Sequence, residues 1–157
     1  MRLVYSKFFR DVWGLDDTVL AVCGADCPDP NNFANGMLDH IYKTYPNMRV
    51  GLFSNTADLV IRTFMGWGYC DNTWNKCTGV STIIPANLFE QGLLTIRAEY
   101  QNQSSSYFIG QTQALYNFGQ NHTALRSPSF WTTIIDGVPL SDWVGNVING
   151  DIQHVGP

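Results

Sequence analysis

One carboxylate and one imidazole in this sequence have surroundings suited to acid–base chemistry. Asp58 ends the segment Ser54–Asp58, which directly follows an apolar run, and His122 lies in the polar segment Gly119–Thr123. An aspartate that accepts a hydrogen bond from one ring nitrogen of a histidine fixes its tautomer, and the histidine can then take a proton from a serine hydroxyl. Such a pairing would bring the Asp58 carboxylate within about 3 Å of the His122 ring.

Each of the two residues also has an ordinary structural interpretation. Asp58 could simply cap the helix that follows it, the commoner role of a lone aspartate at such a position. His122 could be a solvated residue of a loop rich in asparagine, glutamine and threonine. The functional interpretation therefore depends on whether the chain places both residues at corresponding points of one sheet.

The elements that must position these residues alternate between strand and helix. Short apolar runs predict three strands, over Thr18–Cys23, Arg49–Ser54 and Ser106–Gly110. Apolar residues at helical spacing predict helices over Phe33–Tyr45, Leu59–Trp67 and Asp142–Ile148, and a longer helix that begins near Pro85. This order predicts an α/β fold with about three parallel strands, right-handed crossovers and flanking helices.

Asp58 and His122 fall at equivalent positions of the predicted sheet. In open α/β sheets the working residues lie just beyond the carboxyl ends of the strands. Asp58 follows the second predicted strand, and His122 follows the third after a loop of about a dozen residues. This is the chain order of the last two members of an α/β-hydrolase triad. Three strands are too few for a complete parallel sheet, so the chain is expected to be part of a domain.

Three segments give the chain a resemblance to a known family. They are YPNMRVGLFSNTAD (Tyr45–Asp58) with the helix after it, NHTAL (Asn121–Leu125), and the stretch from Phe130 to Val144 that contains FWTT and DGVPLSDWV. Together they resemble the pectin-acetylesterase family, α/β hydrolases that include pectin acetylesterases and the Notum carboxylesterase. The resemblance spans most of residues 40 to 157. It implies that Asp58 is the acid and His122 the base of a catalytic triad.

The nucleophile of that family has no counterpart in this sequence. The family's serine lies in a Gly-x-Ser-x-Gly-like elbow upstream of these strands, and its oxyanion-hole loop is also upstream. Gly51–Asn55 lacks the closing glycine, and Gly79–Ile83 has β-branched residues where a strained turn is needed. Residues 1–157 are therefore expected to be the C-terminal half of a single α/β-hydrolase domain, with Met1 an internal methionine.

The resemblance implies a fragment of a serine carboxylic-ester hydrolase. Its substrate in the intact enzyme would be an acetylated polysaccharide such as pectin, or another acyl ester, and no cofactor would be needed. The chain alone should be inactive, because loss of the triad serine costs about 10⁶ in turnover. A separate N-terminal half is one possible partner. The alternative is a non-catalytic glycan-binding or interaction protein derived from a hydrolase.

Composition excludes several other classes of protein. Nine Lys and Arg against thirteen Asp and Glu give a net charge of −4 without a basic cluster, so no nucleic-acid partner is expected. No apolar run approaches the roughly 18 residues of a membrane helix. Four cysteines, 13% aromatic and only 14% charged residues are typical of a secreted protein, although the sequence after Met1 is not a signal peptide.

The four cysteines form two local pairs. Cys23 and Cys27 lie in a turn region, and Cys70 and Cys77 bracket a polar loop. The C-x₃-C and C-x₆-C spacings fit common zinc sites poorly, so disulfides are favoured over a metal site. Cys70–Cys77 is the expected local bridge, while Cys23 could pair with Cys27 or with a cysteine of the missing half.

Aromatic residues and two further histidines complete the candidates. Trp67 and Trp74 could line a glycan groove by stacking on sugar rings, although packing at the edge of the domain is the commoner use of such residues. His40 lies in a predicted helix beside apolar neighbours and is interpreted as structural. His154 is interpreted as a solvated residue of the C-terminal tail.

Overall fold

A computed structural model describes residues 10–28, 33–66, 83–102, 112–122 and 127–157. They fall into two units. The first comprises the chain up to Pro46 and the segment Thr63–Ile84, and the second comprises Asn47–Arg62 and Pro85–Pro157. Both Asp58 and His122 belong to the second unit. Asp58 lies in its first segment, and His122 lies in the longer one.

The first unit begins with short helical turns where the sequence predicted a strand. The run Thr18–Cys23 forms helix α1, Val19–Cys23, between 3₁₀ turns at Leu15–Asp17 and Gly24–Asp26. Its β-branched residues suggested a strand, but Val22 is 72% exposed and donates its N–H to the Thr18 carbonyl at 3.1 Å. A short apolar run does not by itself distinguish a strand from a helix, and the predicted first strand is wrong.

A disulfide closes a loop within this segment, and an ionic contact joins the segment to the second helix. Cys23 and Cys27 form a disulfide, with their Cα atoms 5.6 Å apart. Cys23 is therefore not available to pair with a cysteine of another polypeptide. Helix α2, Phe33–Thr44, agrees with the predicted helix that ends before Pro46. Its His40 Nδ1 lies 3.1 Å from Asp26 Oδ2, and Lys43 donates to the other oxygen of the same carboxylate.

The second unit is built on two parallel strands. Strand β1, Val50–Asn55, pairs with β2, Thr112–Asn117, in a register that sets Val50 opposite Thr112 and Asn55 opposite Asn117. The predicted strand Arg49–Ser54 is thus displaced by only one residue. The predicted strand Ser106–Gly110 lies outside the described residues, and β2 occupies a segment that the sequence assigned to a loop.

Helices cover both faces of the sheet. Helix α3, Leu59–Met65, follows β1, and the covering helices are α4, Ala86–Asn102, and α5, Leu140–Asn149. One core cluster packs Ala114 and Tyr116 of β2 with residues of α4 such as Leu93. The other packs Leu115, which points to the opposite face, with Trp143 of α5 and its neighbours. This alternation along β2 is what a parallel strand covered on both faces requires.

A small hairpin precedes α5. The chain passes through a 3₁₀ turn at Pro128–Trp131, then β3, Ile134–Ile135, and β4, Val138–Pro139, which pair antiparallel. Asp136 and Gly137 between them both have positive φ, 49° and 81°. Two such residues are the favoured connection of a two-residue hairpin, and Asp-Gly is a strong sequence signal for it.

The C-terminal tail lies along the free edge of β2. Val155 forms a parallel bridge to Leu115, accepts the N–H of Tyr116 at 3.0 Å and donates its own N–H to Ala114 at 3.0 Å. A side chain at Gly156 would overlap the Tyr116 carbonyl, since an added Cβ would lie 2.0 Å from that oxygen. Only glycine fits this close approach.

His154 belongs to the same anchored tail. It is half-buried, and its Nδ1 faces the Ala114 N–H at 3.3 Å. The interpretation of His154 as a solvated tail residue is therefore wrong. Burial, together with the positive charge of Arg97, lowers the pKa of His154 below its ordinary value of 6.5. Arg97 itself donates to the carbonyls of Gly156 and Pro157.

Candidate active site

The structure brings Asp58 and His122 into contact. Nδ1 of His122 lies 2.8 Å from Oδ2 of Asp58. The two residues are 64 positions apart in the sequence, and they meet because each follows one of two neighbouring parallel strands. The carboxyl ends of parallel strands lie at the same edge of a sheet.

Each carboxylate oxygen of Asp58 has a partner of its own. Oδ1 accepts the backbone N–H of Ile61 at 2.9 Å, which caps the first turn of α3. Oδ2 is left for the imidazole of His122. Asp58 is only 5% exposed, so water competes little for either oxygen. The helix cap therefore fixes the rotamer in which the carboxylate meets the histidine.

Backbone hydrogen bonds join the two loops that carry the pair. Thr56 donates to the Asn117 carbonyl at 2.8 Å, Ala57 to Gly119 at 3.0 Å, and Leu59 to Gln120 at 3.1 Å. These three bonds run side by side from the end of β1 to the start of α3. The separation of the two loops is consequently fixed by the main chain rather than by the Asp58–His122 contact alone.

Sequence reasoning missed one polar residue of this site, Asn55. It is the last residue of β1 and is buried. Its Oδ1 accepts from Nδ2 of Asn117 at 2.9 Å, and its Nδ2 donates to the Asn121 carbonyl at 2.7 Å. The available signal was a polar amide two positions after the apolar run Val50–Phe53. Its partners, however, lie in a loop that sequence spacing does not place.

His122 presents one ring nitrogen that is free to act. Its side chain is 37% exposed. With the Nδ1 proton donated to Asp58, the tautomer assigned by this hydrogen bond leaves a lone pair on Nε2. Nε2 has no hydrogen-bond partner among the described residues. An imidazole oriented in this way can accept a proton from a hydroxyl group or from water.

No nucleophile contacts the pair within the described ranges. The serine of the Gly51–Asn55 segment, Ser54, donates its hydroxyl to the Asn55 carbonyl at 3.2 Å and is not bonded to His122. Most of the segment Gly79–Ile83, including its serine, lies outside the described residues. The described residues therefore supply an oriented acid–base pair and no alcohol in contact with it.

Four other candidates fall outside the described residues. They are the two tryptophans proposed to line a glycan groove and the two cysteines proposed to form a local bridge: Trp67, Trp74, Cys70 and Cys77. Across the described segments, no group of three or more His, Cys, Asp or Glu side chains is arranged to hold a metal ion. None of the helices in those segments has both the length and the apolar character to cross a membrane.

Comparisons with known proteins give no assignment. No family model, no curated protein and no solved structure matches this chain. A functional conclusion must therefore rest on the geometry of the site.

Proposed function

We propose that this chain carries the acid and the base of a serine carboxylic-ester hydrolase that removes acyl groups from a polysaccharide. The observation that carries the proposal is the 2.8 Å contact between His122 Nδ1 and the buried Asp58 carboxylate. An imidazole with one nitrogen bound to a carboxylate and the other unpartnered is the acid–base half of a Ser-His-Asp triad.

The proposed reaction has two steps. His122 Nε2 takes the proton of a serine hydroxyl as the serine oxygen attacks the ester carbonyl, and the imidazolium returns that proton to the departing sugar oxygen. The acyl-serine is then hydrolysed by a water that His122 deprotonates, and the same proton goes back to the serine. Asp58 stays ionised throughout and stabilises the imidazolium.

The serine in this proposal comes from polypeptide outside residues 1–157. The fold we propose is the C-terminal part of an α/β hydrolase. Three features support it: parallel strands, helices on both faces, and an acid and a base after neighbouring strands. The burial of the two strands also differs, because β2 is buried over most of its length while β1 is mostly half-buried. An additional strand beside β1 would complete its burial.

The proposed setting is an oxidising, extracellular one. The Cys23–Cys27 disulfide supports it, because disulfides persist in secreted proteins and are rare in reducing compartments. The proposed substrate, an acetylated polysaccharide such as pectin, rests on the resemblance of the Tyr45–Asp58, Asn121–Leu125 and Phe130–Val144 segments.

The experiment extends the reading frame upstream of Met1 and expresses the longer polypeptide. The proposal expects an in-frame Gly-x-Ser-x-Gly elbow and hydrolysis of p-nitrophenyl acetate that the His122→Gln variant loses. The matched control is His40→Gln, because His40 is also paired with an aspartate, Asp26. Full activity in the His122 variant, or an in-frame stop codon directly before Met1, would contradict the proposal.

One observation favours the alternative of a non-catalytic glycan-binding protein. Trp131 is 75% exposed and lies against Phe130 in an edge-to-face contact, with ring centroids 4.8 Å apart. A rigid exposed indole is a suitable surface for stacking a sugar ring. Binding of an acetylated pectin oligosaccharide by this chain, abolished by Trp131→Ala and unchanged by His122→Gln, would support this alternative.

A further inference from the structure

We infer that Asn55 is the residue that orients His122, acting through the peptide bond that precedes the histidine. Asn55 does not touch the imidazole, so its role is that of a positioning residue. The inference rests on the proposed function, because it concerns the same Asp58–His122 pair. It extends that proposal by naming a side chain outside the triad on which the geometry of the base depends.

The two hydrogen bonds of the Asn55 amide have complementary direction. The amide nitrogen of Asn117 can only donate, so the atom of Asn55 that faces it must be the acceptor Oδ1. The donor Nδ2 of Asn55 then faces the Asn121 carbonyl, which can only accept. Neither a carboxylate nor an aliphatic side chain of similar size satisfies both partners.

Because Asn55 is buried, the loss of either hydrogen bond would be costly in free energy. Asn55 is 5% exposed, and a buried polar group that loses its partner pays the cost of desolvation without compensation. The Gly119 backbone also passes close to the amide, since a Cβ at that position would lie 3.3 Å from Asn55 Oδ1. The loop before His122 therefore runs directly over the Asn55 side chain.

The link from Asn55 to the histidine is a single planar group. The carbonyl of Asn121 and the nitrogen of His122 belong to one peptide unit, which is rigid. Fixing the carbonyl oxygen at 2.7 Å from Asn55 Nδ2 thus fixes the plane from which the His122 side chain departs. Within the described ranges, this is the only hydrogen bond to the main chain of residues 121 and 122.

The loop-to-loop backbone bonds end just before this point. The last of them joins Leu59 to the carbonyl of Gln120. These backbone bonds do not restrain the next peptide unit, which joins Asn121 to His122. Among the described residues, the hydrogen bond from Asn55 to the Asn121 carbonyl is the further contact that restrains the main chain up to His122. Without it, the imidazole would be held mainly by its own bond to Asp58, and the Nδ1 proton would exchange with water more readily.

The test is ¹⁵N NMR of the histidine rings in the full 157-residue chain. In the unsubstituted protein at neutral pH, His122 should show a protonated Nδ1, an unprotonated Nε2 and a slowly exchanging Nδ1 proton. Asn55→Ala should accelerate exchange of that proton by about tenfold, the factor expected from loss of one net hydrogen bond. Asn117→Ala, which frees the Asn55 amide to rotate, should accelerate it in the same direction.

The matched control is Asn146→Ala. Asn146 is also partly buried and donates its amide to a side chain, Gln153, but at the C-terminal tail. This variant should leave the His122 spectrum unchanged. A general loss of stability would show in all three variants as a lower melting temperature, whereas a positioning role moves the His122 proton only in the first two.

The outcomes distinguish a failure of the proposed function from a failure of the inference about Asn55. Absence of the Nδ1 proton signal in the unsubstituted chain would overturn the Asp58–His122 pair and hence the proposed function. A normal signal there that persists unchanged in folded Asn55→Ala would overturn the role of Asn55 alone. If Asn55→Ala fails to fold, Asn117→Ala decides the question, and unchanged exchange in that variant overturns the inference.

Discussion

At the scale of single residues, the site depends on the two carboxylate oxygens of Asp58, which have different hydrogen-bond partners. One caps α3 through Ile61 and the other meets His122. A capping role and a functional role are usually treated as alternatives for such an aspartate. Here they support each other, because the cap selects the rotamer that the pairing requires.

The Asp58→Asn substitution separates these two roles. The amide oxygen still caps α3, so stability should change by less than the roughly 1 kcal/mol of a lost helix cap. The amide nitrogen cannot accept from His122 Nδ1, so the ring should adopt the other tautomer. In the extended enzyme we expect a fall in kcat of about 10⁴, measured with p-nitrophenyl acetate.

The control for this variant is Asp26→Asn. It disrupts the other aspartate–histidine contact of the chain, with His40, and should leave kcat unchanged. A stability loss in Asp58→Asn as large as in Asp58→Ala would show that Oδ1 is not the capping atom.

His154 makes a pH-dependent contribution to stability. Its folded-state pKa lies below the ordinary value of 6.5, so the unfolded chain binds more protons as the pH falls through 6.5 toward the folded-state value. Stability from this group is therefore complete above about 6.5 and lost below it. The physical reason is that burial, together with the positive charge of Arg97, disfavours the protonated imidazole in the folded chain.

Chemical unfolding of the chain between pH 7.5 and 5 tests this effect. The unsubstituted protein should lose more stability over that interval than His154→Gln, because the glutamine has no proton to gain. Parallel pH profiles for the two proteins would show that His154 does not contribute. Comparing the two profiles removes the contributions of all other titratable groups.

At the scale of elements, sequence patterns located the helices α2 to α5 and β1 but not α1 or β2. The pattern of Phe89, Leu93, Ile96 and Tyr100 predicted α4, and the apolar run before Ser54 predicted β1. The strand Thr112–Asn117 contains threonine, glutamine and asparagine, and its apolar run is only three residues long, Ala114–Tyr116. It is a strand because helices on both faces and the tail at its edge enclose it. Such long-range contacts leave no periodicity in a single sequence.

The strand predicted over Thr18–Cys23 is wrong for the opposite reason. Local β propensity suggested a strand, and no described strand lies beside it to pair with. The same limit applies to the site. The positions of Asp58 and His122 after neighbouring strands could be predicted, whereas the Asn55 contacts depend on how two loops pack together.

The packing of α5 against the sheet gives a prediction for stability. Leu140 is fully buried in the cluster with Leu115 and Trp143. Leu140→Ala should lower the free energy of unfolding by about 2–5 kcal/mol, through lost burial and the cavity that remains. The measurement is urea unfolding followed by the tryptophan fluorescence of the chain, to which the buried Trp143 contributes.

Ile148→Ala is the matched control, because Ile148 lies on the same helix and is exposed. It should change the free energy of unfolding by less than about 0.5 kcal/mol. Equal effects of the two substitutions would show that α5 does not pack on the sheet through Leu140.

At the scale of the whole molecule, the candidate site is contained in one of the two units. Asp58, His122 and Asn55 lie in the second unit, and the Cys23–Cys27 disulfide lies in the first. A change confined to the disulfide should therefore affect stability without affecting the acid–base pair.

Replacing Cys23 and Cys27 together by serine tests this separation. The disulfide closes a short loop, for which chain entropy predicts a loss of about 2 kcal/mol from the stability of the first unit. Calorimetry with and without a reductant measures that loss in the unsubstituted chain. The ring ¹⁵N signals of His122 should not change, and a change in them would show that the site depends on the first unit.

The pairing of Val155 with β2 has a practical consequence for anyone who handles this protein. A carboxypeptidase that trims the chain past Val155 would expose the main chain of Ala114 and Tyr116, on the strand that leads to the histidine. Slow loss of C-terminal residues during storage would then destabilise the protein as a mutation would. Intact-mass measurement of every preparation is the simplest safeguard.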